Sequence, residues 1–299
     1  MVAPFFIALG VMIIKMAGAL APPLTISALS ALISLPFLWL LLRLRGQSFD
    51  RQIFAAEIRR PLLTVLMTRS ILGAALIVTG FTLTTAIKSV LLLRVEALFV
   101  FAWSVFFRRE KATAVKLLLL VALSLGAALV VTPAPQAGGV SVSFASGINL
   151  GDILIVCSLL LFSYSYIPTE KIVARVSPTT LNIVSNAVGG VVILLVALLL
   201  TPVAALNISA QAWLLISAYA LCFGVIGINL YFFAFKTLKP WIIAAFLSLE
   251  VVYGVPLAWL MRGEIITPLQ GGGALIVVAA TVCIGLLDAR TRPQAELEN

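Results

Sequence analysis

The chain has 299 residues, 62% of them hydrophobic and only 10% charged, with a mean hydropathy of +1.19. A soluble domain carries about 25% charged residues, so a water-soluble fold is excluded and an integral membrane protein is expected. There is no histidine, which removes imidazole relays and His-ligated metals, and the net charge of +9 points to nucleic acid only if its distribution allows it.

A spanning helix needs roughly 20 apolar residues. The apolar runs divide into ten, at 2–19, 23–44, 61–83, 84–107, 113–132, 150–168, 178–201, 212–235, 240–261 and 267–287. The first is read as a helix and not as a leader, because it lacks a basic start, Lys15 interrupts it and another span follows at once. Polar breaks of any length occur only at 43–60, at 133–149, expected as an external linker, and in the tail Asp288–Asn299, expected to be short and disordered. Cys157, Cys222 and Cys283 all fall inside apolar runs and read as small buried hydrophobes, without disulfide or metal spacing.

The basic residues lie in alternate loops: Arg43, Arg45, Arg51, Arg59 and Arg60, then Arg108, Arg109, Lys111 and Lys116, then Lys171 and Arg175, Lys236 and Lys239, and Arg290 and Arg292. That is 15 of the 20 on one side, which by the positive-inside rule puts both termini in the cytoplasm. The excess charge is topological, and nucleic acid is not expected as a partner.

The stretch from Thr84 to Thr113 recurs, altered, as Lys239 to Thr267. At an offset of 154 residues Glu96 falls on Glu250, Arg108 on Arg262, Glu110 on Glu264 and Thr113 on Thr267. In a chain this poor in charge, coincident charges mark an internal repeat. Five spans is an odd number, so the second copy must lie upside down relative to the first, as in the inverted repeats of secondary transporters. The expected fold class is thus an all-α integral membrane protein of ten transmembrane helices in two inverted five-helix repeats, 1–132 and 150–287, with a cytoplasmic tail at 288–299.

The pattern of a midspan Glu followed by Glu96…Arg109-Glu110…Thr113 and Glu250…Gly263-Glu264…Thr267 spacing resembles the EamA domain of the drug/metabolite transporter superfamily. Lys15 followed by Pro22-Pro23, Gly151-Asp152 opening helix 6 and Gly271–Gly273 opening helix 10 are further family-like features. Where the family often has Pro after the midspan Glu, Ala97 and Val251 stand here, leaving Pro256 as the candidate kink in helix 9.

Charges inside spans are costly and by default functional. Lys15, Arg69, Lys88, Arg94, Glu96 and Glu250 qualify. Glu96 and Glu250 fall near midplane, Glu96 sharing a helix face with Leu92, Phe99 and Trp103, and each either holds neighbouring helix ends together or contacts substrate or a proton. Lys88 lies close enough to a helix end to snorkel. Glu110 and Glu264 read as helix-end groups pairing with Arg108 and Arg262. Among the aromatics Trp103, Tyr164, Tyr166, Tyr231 and Tyr253, which either line a cavity or anchor at the interface, Trp103, Tyr164, Tyr231 and Tyr253 join Glu96, Glu250, Lys15, Arg69 and Arg94 as the candidate central cavity. Gly224, Gly227 and Tyr231 form one stripe, read as close helix packing.

Neither a Walker A loop nor a dinucleotide fingerprint is present, so no enzyme, cofactor or metal is expected. The implied function is secondary active transport by alternating access, exporting a small metabolite such as an amino acid or related organic anion across the inner (cell) membrane, with protons as a candidate coupling ion. Organic-cation or drug efflux, a lipid-linked sugar flippase and a non-transporting scaffold or receptor are the alternatives, and the oligomeric state is open. Reporter fusions at Gly138 and Ala205 are expected to read the outer side and those at Gly46 and Lys111 the cytoplasm; a cytoplasmic signal at Gly138 overturns the inverted arrangement.

Overall fold

The computed structural model describes residues 2–18, 20–83, 92–93, 95–108, 113–131, 148–200, 208–262 and 268–297. Lys88, Arg94, Glu110 and Glu264 lie outside them, and of Lys15, Arg108 and Arg262 only the backbone is described. The described residues are helical with no strand. Helices α1 (Val2–Ala17) and α2 (Pro23–Leu44) are followed by a 3-10 turn, Arg51–Phe54. Helix α3 runs from Ala56–Val65 through a π-helical segment, Leu66–Gly73, into Ala74–Leu83. Then come α4 (Glu96–Arg108), α5 (Ala114–Val131), α6 (Leu150–Val173) and α7 (Pro178–Leu200). Helix α8 repeats the construction of α3, with Ala210–Tyr219, a π-helical Ala220–Gly227 and Ile228–Ala234. Helices α9 (Pro240–Leu247), α10 (Glu250–Arg262) and α11 (Pro268–Leu297) complete the chain.

Local chemistry sets several of these limits. Pro23 and Pro240 open α2 and α9, where the ring costs no helical hydrogen bond. Asn149 and Asp152 form a reciprocal capping box at the start of α6. Gly46, at φ 64°, turns the chain out of α2.

Six described helices are long and apolar enough to cross a membrane, and four shorter apolar ones, Val2–Ile14, Glu96–Phe107, Ala114–Leu129 and Pro240–Gly254, accompany them. Large apolar side chains such as Leu199, Leu214 and Leu275 stand more than two-thirds exposed, which in water would be an aggregation surface and in a bilayer is the lipid face. The chain is a multi-pass membrane protein.

Three expectations change. Span 240–261 is not continuous: it breaks at Ser248–Leu249, where i→i+3 bonds such as Ser248 N–H to Ala245 O replace the helical ladder, ahead of Pro256, which stays inside α10. Val95, just before Glu96, makes the same kind of bond to Leu92 O. Helix α11 continues to Leu297 where a disordered tail is expected. The cysteines are not core residues, since Cys157 and Cys283 are exposed and Cys222 half-buried; in an apolar solvent a thiol on the outer face needs no burial.

Helix starts keep the 154-residue spacing of the sequence. Leu66–Gly73 and Ala220–Gly227 share it at both ends, as do Ala56–Val65 with Ala210–Tyr219 and Glu96–Arg108 with Glu250–Arg262. Packing is reciprocal as well: α1 lies against α8 and α10, α6 against α3 and α4, α2 along α7 and α5 along α11.

Helices α3 and α6 approach each other backbone to backbone. A Cβ on Gly151 would stand 2.8 Å from the Leu83 backbone carbon and 2.9 Å from Gly80 O, and backbone cannot yield as a side chain can. Gly151→Val is therefore expected to lower stability by ~1–3 kcal/mol, read as a fall of several degrees in the thermal unfolding midpoint of the detergent-solubilised protein, while Gly271→Val, which meets nothing within 4 Å, leaves it unchanged.

Candidate functional site

The π-helical segments have a price in backbone bonding, because a wider turn leaves carbonyls without their usual partner. Side chains from other helices supply it. Ser158 Oγ donates to Gly73 O at 2.9 Å, Asn182 Nδ2 to Gly224 O at 2.9 Å, and Ser34 Oγ to Ala220 O at 3.3 Å. In the apolar interior of a bilayer such bonds stabilise the turn by giving its carbonyls a donor within the protein.

Around the two wide turns lies a cavity of about 530 Å³, large enough for a small metabolite. Arg69 comes to it from the π-helical turn of α3, Glu96 from the first turn of α4, Glu250 from the first turn of α10 and Tyr231 from α8. The breaks at Val95 and Ser248–Leu249 put each glutamate at the start of a half-helix, where the N-terminal dipole favours negative charge. Neither carboxylate sits mid-ladder, as a continuous span would have it.

Arg69 is held on several sides. Its Nη1 donates to Tyr231 Oη at 3.1 Å, and its guanidinium carbon lies 4.4 Å from the Tyr231 ring centre and 5.4 Å from that of Phe162. Aromatic faces so placed offset part of the cost of a buried cation. Tyr166 packs edge-on against Tyr231, ring centres 5.6 Å apart, and Glu96 lines the same cavity. Arg69, Tyr231, Tyr166 and Glu96 thus line one part of the cavity together.

The facing wall is polar without charge. Ser30 and Ser34 come from α2, and Asn182, Ser185 and Asn186 from α7. Asn186 Nδ2 donates to Asn182 Oδ1 at 2.7 Å, which fixes both amides. Ser185 Oγ is buried without a hydrogen-bond partner among the described residues, a cost of about 1–3 kcal/mol that a ligand would offset. Gly189 and Gly190 let this wall approach closely, since a Cβ on Gly189 would stand 2.8 Å from Ser70 O.

Below the cavity, toward the end bearing the α2–α3, α6–α7 and α8–α9 connections, the chain is packed shut. Tyr166, Tyr231, Phe235, Phe101 and Trp241 are all buried in one core cluster, with edge-on ring contacts of 5.1–6.0 Å. Glu57 and Arg175 form an exposed ion pair across the same end. The cavity extends the other way, past Ile14, Ser27, Ile77 and Ile193.

The structure therefore brings together Arg69, Glu96, Tyr231 and Glu250 of the sequence candidates. It places three others elsewhere. Trp103 donates from Nε1 to Ser163 Oγ at 3.0 Å and packs on Tyr164, ring centres 5.7 Å apart; Tyr253 meets Phe5 edge-on at 5.8 Å. Gly224, read as packing, does meet Ser34 but also lines the cavity, as does Tyr231 of the same stripe. Sequence reasoning missed the Asn and Ser wall. The signal was present in Asn182 and Asn186, four residues apart and hence on one face of a span with no charge.

Residues 149–286 match the model of the EamA-like transporter family. Among solved structures, a crystal structure of a protein 16% identical superposes with a TM-score of 0.75, over 97% of this chain and 96% of that one; at such identity the likeness is one of fold. No curated protein sequence matches. The second part of the chain, residues 149–286, is thus similar to the EamA-like transporter family, and the chain as a whole shares its fold with that solved structure.

Tyr231→Phe removes the hydrogen bond from Arg69 Nη1 to Tyr231 Oη while keeping the ring. It is expected to leave the thermal midpoint within about 2 °C, a loss of ~0.5–1.5 kcal/mol at most, and to weaken ligand binding at Arg69; unchanged ligand affinity would remove the tyrosine from the site.

Proposed function

We propose that this protein is a secondary transporter of two inverted five-helix repeats, which exports a small amino acid or related organic anion across the cell (inner) membrane by alternating access, with both termini cytoplasmic. The observation that carries the proposal is the cavity itself, where one cation, Arg69, and two carboxylates, Glu96 and Glu250, converge from the π-helical turn of α3 and two half-helix starts. Half-helix ends converging at midspan are the construction of ion and substrate sites in transporters. An amino acid suits this set: its carboxylate goes to Arg69, a planar fork made for that partner, and its ammonium to a glutamate. Ser185 and the amides Asn182 and Asn186 take the remaining polar contacts.

Support for the repeats comes from the conserved spacing of helix starts and from the reciprocal packing of α1 and α6. A two-fold requires each contact to occur twice with roles exchanged, and α1 on α8 and α10 answers α6 on α3 and α4. The ten apolar helices among the described residues, six long and four short, fit ten spans. With the termini inside, the packed end is cytoplasmic and the conformer is the outward-facing one; export is then the return of a site loaded at the other side.

A cation-efflux reading has one observation in its favour, that the described lining carries two carboxylates against one guanidinium. Counterflow of labelled substrates in proteoliposomes separates the two. Exchange of neutral amino acids, lost in Arg69→Gln, is expected; exchange of organic cations alone, indifferent to Arg69→Gln, overturns the amino-acid reading, and no exchange over a broad panel overturns transport.

The glutamates act differently because the repeats face opposite ways. Glu96, which lines the cavity with Tyr166 and Tyr231, is the proton carrier, and Glu250 holds the cargo ammonium. Glu96→Gln is expected to keep binding and abolish the pH dependence of uptake, and Glu250→Gln to weaken binding at least tenfold at every pH, about 1.4 kcal/mol. Wild-type transport by both well-folded amides defeats the assignment.

A further inference from the structure

A second concavity lies outside the transport cavity, at the packed end of α2. It measures about 1,050 Å³ and is lined by Trp39, Arg43, Phe49, Asp50, Arg51 and Ser177 among others. The chain makes it by turning back on itself. Gly46 takes a positive φ of 64° just after α2, so that Arg43 on the last turn of α2 and Arg51 at the start of the 3-10 turn line one cleft. Neither guanidinium has an ion-pair partner among the described residues. Asp50 also lines the cleft, but its Oδ1 is taken up by Gln52 N–H at 3.0 Å. The floor is apolar and flat, formed by Trp39 and Phe49 stacked at 5.6 Å and 19°.

Two further observations say what fits. Directly beside the cleft, α2 carries an exposed apolar strip, with Leu40 55% and Leu44 77% exposed, so the cleft is continuous with the lipid face. An arginine pair recognises a phosphate by parallel N–H···O bonds, and Trp sits by preference at headgroup level. A ligand with an anionic phosphate head and an apolar tail satisfies both parts of the surface; a free phosphate satisfies one.

We propose that this cleft binds the headgroup of an anionic phospholipid, its phosphate between Arg43 and Arg51 and its acyl chain along Leu40 and Leu44. The site spans a seam of the fold. Asp50 N–H donates to Thr180 Oγ1 on α7 at 3.2 Å, and Ser177, at the turn before α7, forms the far wall. A bound lipid thus clamps the α2–α3 connection to the start of α7, at the end where the transport cavity is closed. The inference does not depend on the transport reading, because its readout is lipid retention.

The purified protein is exposed to equimolar phosphatidylglycerol and phosphatidylcholine of the same chain length, and retained lipid is measured by native mass spectrometry. Wild type is expected to retain phosphatidylglycerol roughly tenfold over phosphatidylcholine, about 1.4 kcal/mol, and R43Q/R51Q to retain the two equally. R59Q/R60Q, which removes two basic residues that do not line the cleft, is expected to keep the preference. Equal retention by wild type, or equal loss in R59Q/R60Q, overturns the site in favour of diffuse charge. Displacement by glycerol phosphate alone overturns the lipid in favour of a free phosphate ligand. If the double variant fails to fold, R43Q and R51Q singly carry the test, each expected to lose part of the preference; no loss in either overturns it.

Discussion

The structure depends on one constraint: in the apolar interior of a bilayer a backbone carbonyl that leaves the helical ladder must find a donor within the protein. Two eight-residue wide turns, Leu66–Gly73 and Ala220–Gly227, break the ladder at equivalent places. Ser158, Asn182 and Ser34 supply the donors. Each donor sits on a different helix from the turn it serves, so the same bonds that permit the wide turns also fix α6 against α3 and α2 and α7 against α8. The cavity is what remains between helices so held. Removing Asn182 would therefore cost the Gly224 carbonyl its partner and the cavity wall its shape together.

Much of the architecture was legible because membrane proteins leave the apolar runs unbroken and concentrate charge where it matters. Composition excluded a soluble fold, and the coincidence of Glu96 with Glu250 gave the offset that helix starts then follow. Of the midspan charges, Arg69, Glu96 and Glu250 line one cavity. What was illegible is the local break before each glutamate. Ser248 and Leu249 are ordinary in a helix, and their i→i+3 bonding follows from packing between α9, α4 and the cavity, which no propensity encodes.

The aromatic candidates divide for a similar reason. Tyr164 and Tyr166 are two residues apart on α6, so they point to different sides. Only the neighbours decide which side is the cavity, and those neighbours, Tyr231 and Phe235, come from α8 some 65 residues later in the chain. The cysteines were misread because burial was equated with an apolar environment. In lipid the two are separate, and a thiol can be apolar-solvated while lying on the outside.

One asymmetry has a wider consequence. Arg69 stands on the wide turn of α3, and the position 154 residues on is Phe223, also on a wide turn and stacked with Tyr219 at 5.0 Å. The helix limits thus repeat at a fixed spacing while the charge does not. A dipolar guest cannot lie in such a chamber in two equivalent senses: its negative end is drawn to the guanidinium and its blunt end to the stacked rings. The spacing that the two halves of the chain share does not extend to the walls of the cavity between them, so a dipolar molecule placed there meets two unlike ends and has one favoured heading, like a compass needle in its case.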